Sequence, residues 1–289
     1  MQRSMIKETT KARTGRLPAG VGIAAVEVVR CGNGEKTERL TDALAREEPL
    51  EIRVRQRSVA VTMRTPGHDR ELVAGFLLSE GLIKETGDIV EIAPCVNSKT
   101  PDNVLNVFLS PRVEVDFERL TRHVFATSSC GLCGKASIEA VHQQFPPLTA
   151  DVKISREVLA ALPERMRAAQ QNFAATGGLH AAAIFDADGN LVVLREDVGR
   201  HNAVDKVLGH GLLANRLPFD SQVLLVSGRA SFEIVQKALA ARIPILCAIS
   251  APSSLAVEFA RENGQTLVGF LRGETLNIYS RPDRIVEEE

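Results

Sequence analysis

Residues 127 to 137 read Thr-Ser-Ser-Cys-Gly-Leu-Cys-Gly-Lys-Ala-Ser, and Cys130 and Cys133 form a Cys-x-x-Cys pair whose spacing suggests joint chemistry. A small polar loop running into a helix-forming segment favours thiolate over thiol, and Lys135 adds positive potential to the same end. Such a pair holds zinc, a disulfide or a sulfur atom in transit. Structural zinc needs four ligands, and no second cysteine pair or His-x-x-x-His partner exists in the chain, which leaves zinc only as a site shared across a dimer. A thioredoxin-like centre belongs after the first strand of a small domain, whereas Gly131-Leu132 lie deep in this sequence. A zinc deaminase places His-x-Glu before its cysteines. Here His180 follows them, with Ala182 where the glutamate belongs. A pair of merely structural cysteines leaves the surrounding glycines, serines and Lys135 unexplained. Sulfur transfer fits better: a thiolate attacks an external sulfur, becomes a persulfide, and its neighbour receives or releases that sulfur by exchange.

Three further segments carry residues able to hold an anion. Residues 196 to 206 read Glu-Asp-Val-Gly-Arg-His-Asn-Ala-Val-Asp-Lys. Gly199 allows a sharp turn and Asn202 is expected to cap a helix running to Leu208, so Arg200 and His201 either grip a phosphate or base or stand as solvated charges. Residues 176 to 180, Thr-Gly-Gly-Leu-His, bring His180 to the start of an apolar strand, where a lone histidine is more often a satisfied core residue. Phe270, Leu271, Arg272, Gly273, Glu274 and Thr275 link two short strands. Gly273 permits close backbone approach and Arg272 offers a fork for phosphate, although an ordinary hairpin turn explains both.

The elements that must position these groups have two rhythms. In residues 20 to 122 the pattern is strand-rich and mixed. Leu50, Ile52 and Val54 alternate with charges, and Val59, Val61 and Met63 resume the alternation, so an antiparallel hairpin with one wet face is expected. Asp69 is expected to cap a helix presenting Leu72, Val73, Phe76 and Leu77, with Gly81 as its stop, and strands near Ile89 and at 104 to 109 complete a small α/β domain. In residues 123 to 289 strands and helices alternate: a hairpin turning at Asp186-Ala-Asp-Gly189, strands at 223 to 226 and 245 to 249, and helices at 230 to 241 and 253 to 263. That order predicts an α/β fold with a mixed or parallel sheet and crossover helices. The carboxyl ends of such strands form a binding crevice, and helix N-termini there suit phosphate.

Composition sets the background. A chain of 289 residues, 44% hydrophobic, can fill a real core. The net charge of -1 gives no general attraction to nucleic acid or an anionic membrane, and no run of eighteen apolar residues offers a membrane span. Five cysteines, an odd number without regular spacing, fit a reducing cytoplasm better than a secreted disulfide framework. Residues 1 to 19 are basic and lack an apolar core, and are expected to form a disordered tail.

Seven ordered motifs resemble one family, the formate dehydrogenase accessory sulfurtransferases or FdhD proteins. They are Met63-Arg-Thr-Pro-Gly-His68, Gly75-Phe-Leu-Leu-Ser-Glu-Gly81, Ser129-Cys-Gly-Leu-Cys-Gly-Lys135, Thr176-Gly-Gly-Leu-His180, Glu196-Asp-Val-Gly-Arg-His-Asn202, Ser227-Gly-Arg-Ala-Ser-Phe232 and Ala251-Pro-Ser-Ser-Leu255. The resemblance spans Val21 to Arg284. It implies a cytoplasmic sulfur carrier that takes sulfur from a cysteine desulfurase and passes it to the molybdenum bis(molybdopterin guanine dinucleotide) cofactor before insertion into formate dehydrogenase. It further implies Cys130 as persulfide carrier with Cys133 as its neighbour, Phe270 to Thr275 as a segment contacting that cofactor, no permanently bound metal, a homodimer, and a cytidine-deaminase-like fold for the larger domain. A reading from another class is a cofactor-binding chaperone with a dimer-bridging zinc clamp.

Overall fold

The computed structural model describes residues 20–32, 37–96, 98–117 and 145–287. Cys130, Cys133, the expected tail and the expected boundary at residue 122 lie outside the described residues.

The first part of the chain opens with a two-stranded antiparallel ribbon, β1 (Ile23–Cys31) and β2 (Thr37–Ala45). It is followed by a four-stranded sheet in the order β4-β3-β6-β5, made of β3 (Glu48–Val54), β4 (Arg57–Arg64), β5 (Ile89–Pro94) and β6 (Val104–Leu109). β3 and β4 form the expected antiparallel hairpin, but a bulge after Ile52 changes which face β4 presents. Ile52 pairs with Ala60 while Arg53 already pairs with Ser58, so the inward set becomes Ala60, Thr62 and Arg64. Val61 and Met63, expected inside, are 61% and 47% exposed.

Helix α1 (Asp69–Ser79) buries Leu72, Val73 and Leu77 and ends before Gly81, whose φ of 69° suits glycine. Its N-cap is His68 rather than the expected Asp69. The Asp69 carboxylate instead accepts two hydrogen bonds from the buried Arg64 guanidinium, both at 3.0 Å. That use outweighs capping because an unpaired buried guanidinium is costly.

The second part is built on a six-stranded sheet, β13-β12-β11-β10-β8-β9. Its strands are β8 (His180–Phe185), β9 (Leu191–Asp197), β10 (Val223–Val226), β11 (Ile245–Ala248), β12 (Thr266–Arg272) and β13 (Thr275–Ser280). β10, β11 and β12 run parallel, whereas β8–β10, β8–β9 and β12–β13 pair antiparallel, giving the expected mixed sheet. A short pair, β7 (Ile154–Ser155) and β14 (Ile285–Val286), closes the far end.

Alternation along the strands splits the core into two faces. Ala182, Ile184, Leu224, Val226, Leu246 and Ala248 pack with α4 (Arg200–Leu213), α5 (Phe232–Ala240) and α6 (Ser254–Glu262), and this cluster continues into α1 and the four-stranded sheet. Ala183, Phe185, Val223, Leu225, Ile245 and Cys247 face the other way, onto Leu159, Leu162 and Met166 of α2 (Arg156–Ala169). A short helix, α3 (Gln171–Thr176), follows α2. Each fully buried Leu or Ile side chain here contributes roughly 1.5–3 kcal/mol.

The two parts meet at a close crossing of α1 and α4. A Cβ on Gly75 would stand 1.8 Å from the Asp205 carbonyl oxygen, and one on Gly209 would stand 1.8 Å from that of Glu71. Glycine is therefore required at both positions for the backbones to touch. Among the described residues no helix is long and apolar enough to cross a membrane.

Candidate functional site

The carboxyl ends of β9 to β12 and the amino ends of β8 and β13 share one edge of the large sheet. A cleft of about 540 Å³ opens there, lined on one side by Phe173 and Gly177 to Leu179 and on the other by His180, Val198, Ser227 and Ile249. The helices α4, α5 and α6 all begin at this edge, after the loops that leave β9, β10 and β11. Their N-termini place partial positive charge around it.

The 196–206 motif separates into members of a buried lock and members outside it. Glu196 accepts from the amides of Asn172 and Phe173 (3.0 and 2.8 Å) and so starts α3. Asp197 is fully buried and takes four donors: the amides of Thr65 and Gly199, Asn202 Nδ2, and Lys206 Nζ at 2.7 Å. Lys206 Nζ also donates to the Thr65 carbonyl (2.8 Å), and the Val198 amide donates to Thr65 Oγ1 (3.1 Å). The 63–68 motif thus serves as the other half of this lock. Asn202 does not cap the helix. α4 begins at Arg200 and runs to Leu213, and Asn202 Nδ2 turns back to the Met63 carbonyl (2.7 Å) as well as to Asp197.

Arg200 and His201 remain uncommitted to that lock. His201 Nε2 lies 2.8 Å from Glu233 and 3.3 Å from Ser231 Oγ, both on α5 or its cap. Because the one nitrogen faces both groups, this is not a nucleophile–base–acid relay. The His201 hydrogen bond holds the Glu233 carboxyl below the usual range. Arg200 Nε is buried with no hydrogen-bond partner among the described residues. His180, beside it, is half-buried and not a satisfied core residue. Burial first, then the charges of Arg200 and His201, push its imidazole below its ordinary value, with Asp197 acting in the opposite sense.

Ser227 ties β10 to β8, its Oγ accepting from the Ala181 amide at 2.9 Å. Ser253 caps α6 by accepting from the Ala256 amide. The segment Phe270–Thr275 forms the end of the β12–β13 hairpin on the same sheet edge. Gly273 has φ 55°, and Phe270, at φ 52°, is 37% exposed. The Phe270 amide donates to the Ser250 carbonyl (3.1 Å), and Arg272 Nε donates to that of Ile249 (3.2 Å), a residue of the cleft wall. Leu271 is fully buried against the second core face, so it offers a ligand only its backbone. Glu274 and Thr275 are exposed.

Sequence reading missed the α2–α3 wall. Arg167 stacks over the Phe173 ring at 4.3 Å, and both line the cleft. The signal was the apolar spacing of Leu159, Leu162 and Met166, interrupted by Pro163. Among the described residues no three or more His, Cys, Asp or Glu side chains gather as a metal site. Buried Cys247 has its thiol pushed up by burial, which makes it inert.

The FdhD/NarQ family model matches residues 45–286. A relative from Streptomyces coelicolor named sulfur carrier protein FdhD is 52% identical over 90% of this chain and 94% of its own length. Proteins of the same name from Mycolicibacterium paratuberculosis and Saccharolobus solfataricus are 50% and 44% identical, over 96% and 92% of this chain and 98% and 99% of their own lengths. The crystal structure of a candidate formate dehydrogenase accessory protein from Desulfotalea psychrophila superposes with a TM-score of 0.73 at 28% identity, covering 91% of this chain and 99% of that one.

Proposed function

The chain belongs to the FdhD/NarQ family, and from that premise we propose that it is a cytoplasmic sulfur carrier that accepts sulfur from a cysteine desulfurase as a persulfide on Cys130. Its sulfur then goes to the molybdenum bis(molybdopterin guanine dinucleotide) cofactor, handled as bound cargo before insertion into formate dehydrogenase. The observation that carries the reading is the sheet edge itself, where three helix N-termini, Arg200, Arg272 and a 540 Å³ cleft form an anion-receiving surface in a chain of this family.

One transfer balances with a donor persulfide and the two cysteines, and an external thiol reductant returns the resulting disulfide to two thiols before the next round. The Cys130 thiolate attacks the terminal sulfur of the donor's persulfide, the donor's S–S bond breaks, and the donor leaves as a thiolate. Attack of the Cys133 thiolate on Cys130 Sγ then forms a Cys130–Cys133 disulfide, and the terminal sulfur departs with the electron pair as hydrosulfide. Segment Phe270–Thr275 holds the guanine dinucleotide end of the cargo. Arg272 there has both an anchor, the Ile249 carbonyl, and a ring beneath it, Phe270 at 5.8 Å. The cytidine-deaminase-like character of residues 123–289 and a homodimer complete the reading. The fold part of that reading is supported by the antiparallel β8–β9 flank joined to parallel β10, β11 and β12.

Incubation with a cysteine desulfurase and cysteine is expected to add the mass of one sulfur to the wild-type protein and none to Cys130→Ala. A Cys130→Ala protein that still gains sulfur and still activates formate dehydrogenase overturns the assignment, and tightly held stoichiometric zinc without persulfide favours the dimer-bridging clamp instead. For the cargo segment, Arg272→Ala is expected to weaken guanosine diphosphate binding by about tenfold, the value of one charge-assisted contact. Unchanged affinity in a titration removes Arg272 from the site.

A further inference from the structure

Two turns, one in each part of the chain, hold an arginine where glycine suits the backbone better. The β3–β4 hairpin turns through Arg55 and Gln56, both left-handed at φ 48° and 66°. A two-residue turn of this kind favours Asn-Gly. Just past α5, Arg242 has φ 63°, and the amides of Arg242 and Ile243 donate back to the Leu239 and Ala238 carbonyls, both at 2.9 Å. Glycine is the usual residue in that helix ending. A side chain held in the left-handed region strains the backbone and persists where its contacts compensate. Arg55 Nη2 donates to the Val113 carbonyl (2.8 Å), and beside the turn the Arg57 guanidinium lies 4.3 Å over the Phe117 ring. Arg242 donates from Nη1 to the Pro146 carbonyl and from Nη2 to the Pro147 carbonyl (3.1 Å). Val113 and Phe117 precede residues 118 to 144, Pro146 and Pro147 follow them, and Cys130 and Cys133 both lie in that stretch. The two ends rest on a firm base: Val115, Phe117 and Phe145 pack on the large apolar cluster, and the Leu148 amide donates to the Asn263 carbonyl (2.9 Å).

Resting on the sulfur-carrier reading, we propose that Arg55, Arg57 and Arg242 are positioning residues that pin both ends of the cysteine-bearing stretch and so set the rate at which Cys130 takes sulfur from a docked donor. The reason is chain entropy. Fixing the ends of a chain raises the effective concentration of a group on it at a given point of the molecule. Arg55 and Arg242 exert this through main-chain carbonyls and Arg57 through a ring, each at an end of the stretch. A merely structural arginine behaves differently. Glycine at a left-handed position removes the strain together with the contact, so stability stays close to that of wild type, and sulfur transfer is untouched unless the contact positions the cysteines.

The test follows persulfide formation on Cys130 by intact mass in the full-length protein, with cysteine and a range of desulfurase concentrations. Arg55→Gly and Arg242→Gly are expected to melt within about 4 °C of wild type, because glycine relaxes each turn. Each is expected to lower the limiting rate of sulfur uptake about fivefold, and the double variant about twentyfold, with the half-saturating desulfurase concentration unchanged. Iodoacetamide is expected to alkylate Cys130 in these variants at least as fast as in wild type. Deuterium exchange at residues 113 to 117 and at Leu148 is expected to quicken. A wild-type limiting rate in the double variant overturns the pinning, as does unchanged exchange at both ends. An iodoacetamide rate that falls as far as sulfur uptake also overturns it, since the thiol is then disabled rather than misplaced. Should a glycine variant fail to fold, Arg57 decides alone. Arg57→Lys keeps a cation over the Phe117 ring and is expected to retain most of the rate that Arg57→Ala loses, and equal rates in the two overturn the proposal. Wild-type protein that gains no sulfur overturns the sulfur-carrier reading, while quickened exchange in the glycine variants still upholds the pinning. Sulfur loading that none of the substitutions slows does the reverse.

Discussion

Glu71 is the residue on which a cluster at the α1–α4 crossing turns. Arg195 Nη2 donates to its Oε1 at 2.8 Å, while His210 Nδ1 lies 3.0 Å and His68 Nδ1 3.3 Å from the carboxylate. Burial pushes this carboxyl up, but the hydrogen bonds from Arg195, His68 and His210 outweigh it and hold it well below the usual range. A carboxyl depressed in the fold relative to its unfolded value near 4.3 contributes stability at neutral pH that drains away as pH falls below about 4. Glu71→Gln is expected to cost about 3 kcal/mol at pH 7, the scale of breaking a largely buried pair. Its urea midpoint is then expected to decline less than the wild type's between pH 5 and pH 3. Parallel declines sink this account. At this scale the sequence was half legible. Arg200 and His201 stood out by type, but which of residues 196–206 join the lock depends on Met63 and Thr65, more than 130 positions away.

Among the elements, those whose environment is set by their own run of residues were readable. β10 and β11 are continuous apolar runs flanked by small polar loops, and their observed bounds, Val223–Val226 and Ile245–Ala248, differ from expectation by one residue at most. β4 was misread because a bulge is invisible to period-two counting, and the extra residue moved Val61 and Met63 to the solvent face. The α1–α4 crossing was equally hidden, since glycine in a helix normally reads as weakness. At an exposed helical position Gly→Ala gains about 1 kcal/mol. At Gly75 the sign inverts, because the added methyl meets the Asp205 backbone at 1.8 Å and neither helix can give way cheaply. Gly75→Ala is expected to lower stability by about 3 kcal/mol, read as a lower denaturant midpoint with unchanged slope. A midpoint at or above that of wild type contradicts the close crossing.

Over the whole molecule, the lock and the crossing make the two parts thermodynamically one. A single apolar cluster runs from Leu50 in the small sheet through α1 and α4 to Leu267 in the large one. Beside it, Lys237 of α5 donates to both carboxylate oxygens of Asp205 on α4 (2.7 and 2.9 Å) and to Ser79 of α1 (2.8 Å), all buried. Neither part can separate without exposing this surface and removing the bonds that Thr65 makes to Asp197 and Lys206 and that Ser79 makes to Asp205 and Lys237, which leaves buried polar groups short of partners. The described residues are therefore expected to unfold in one cooperative transition, with calorimetric and van't Hoff enthalpies in agreement. Guanosine diphosphate at a hundred times its dissociation constant is expected to stabilise that whole transition by about 2.7 kcal/mol. The cleft's walls come from α2–α3 and the large sheet, while the Thr65 lock fixes the loop carrying Val198 and Arg200. Ligand held by the Phe270–Thr275 hairpin, which is tied to the cleft wall through Arg272 and Ile249, is thus expected to report on the first part of the chain as well. Two resolved transitions, of which the nucleotide moves only one, show instead that the lock is too weak to couple the small sheet to the cleft.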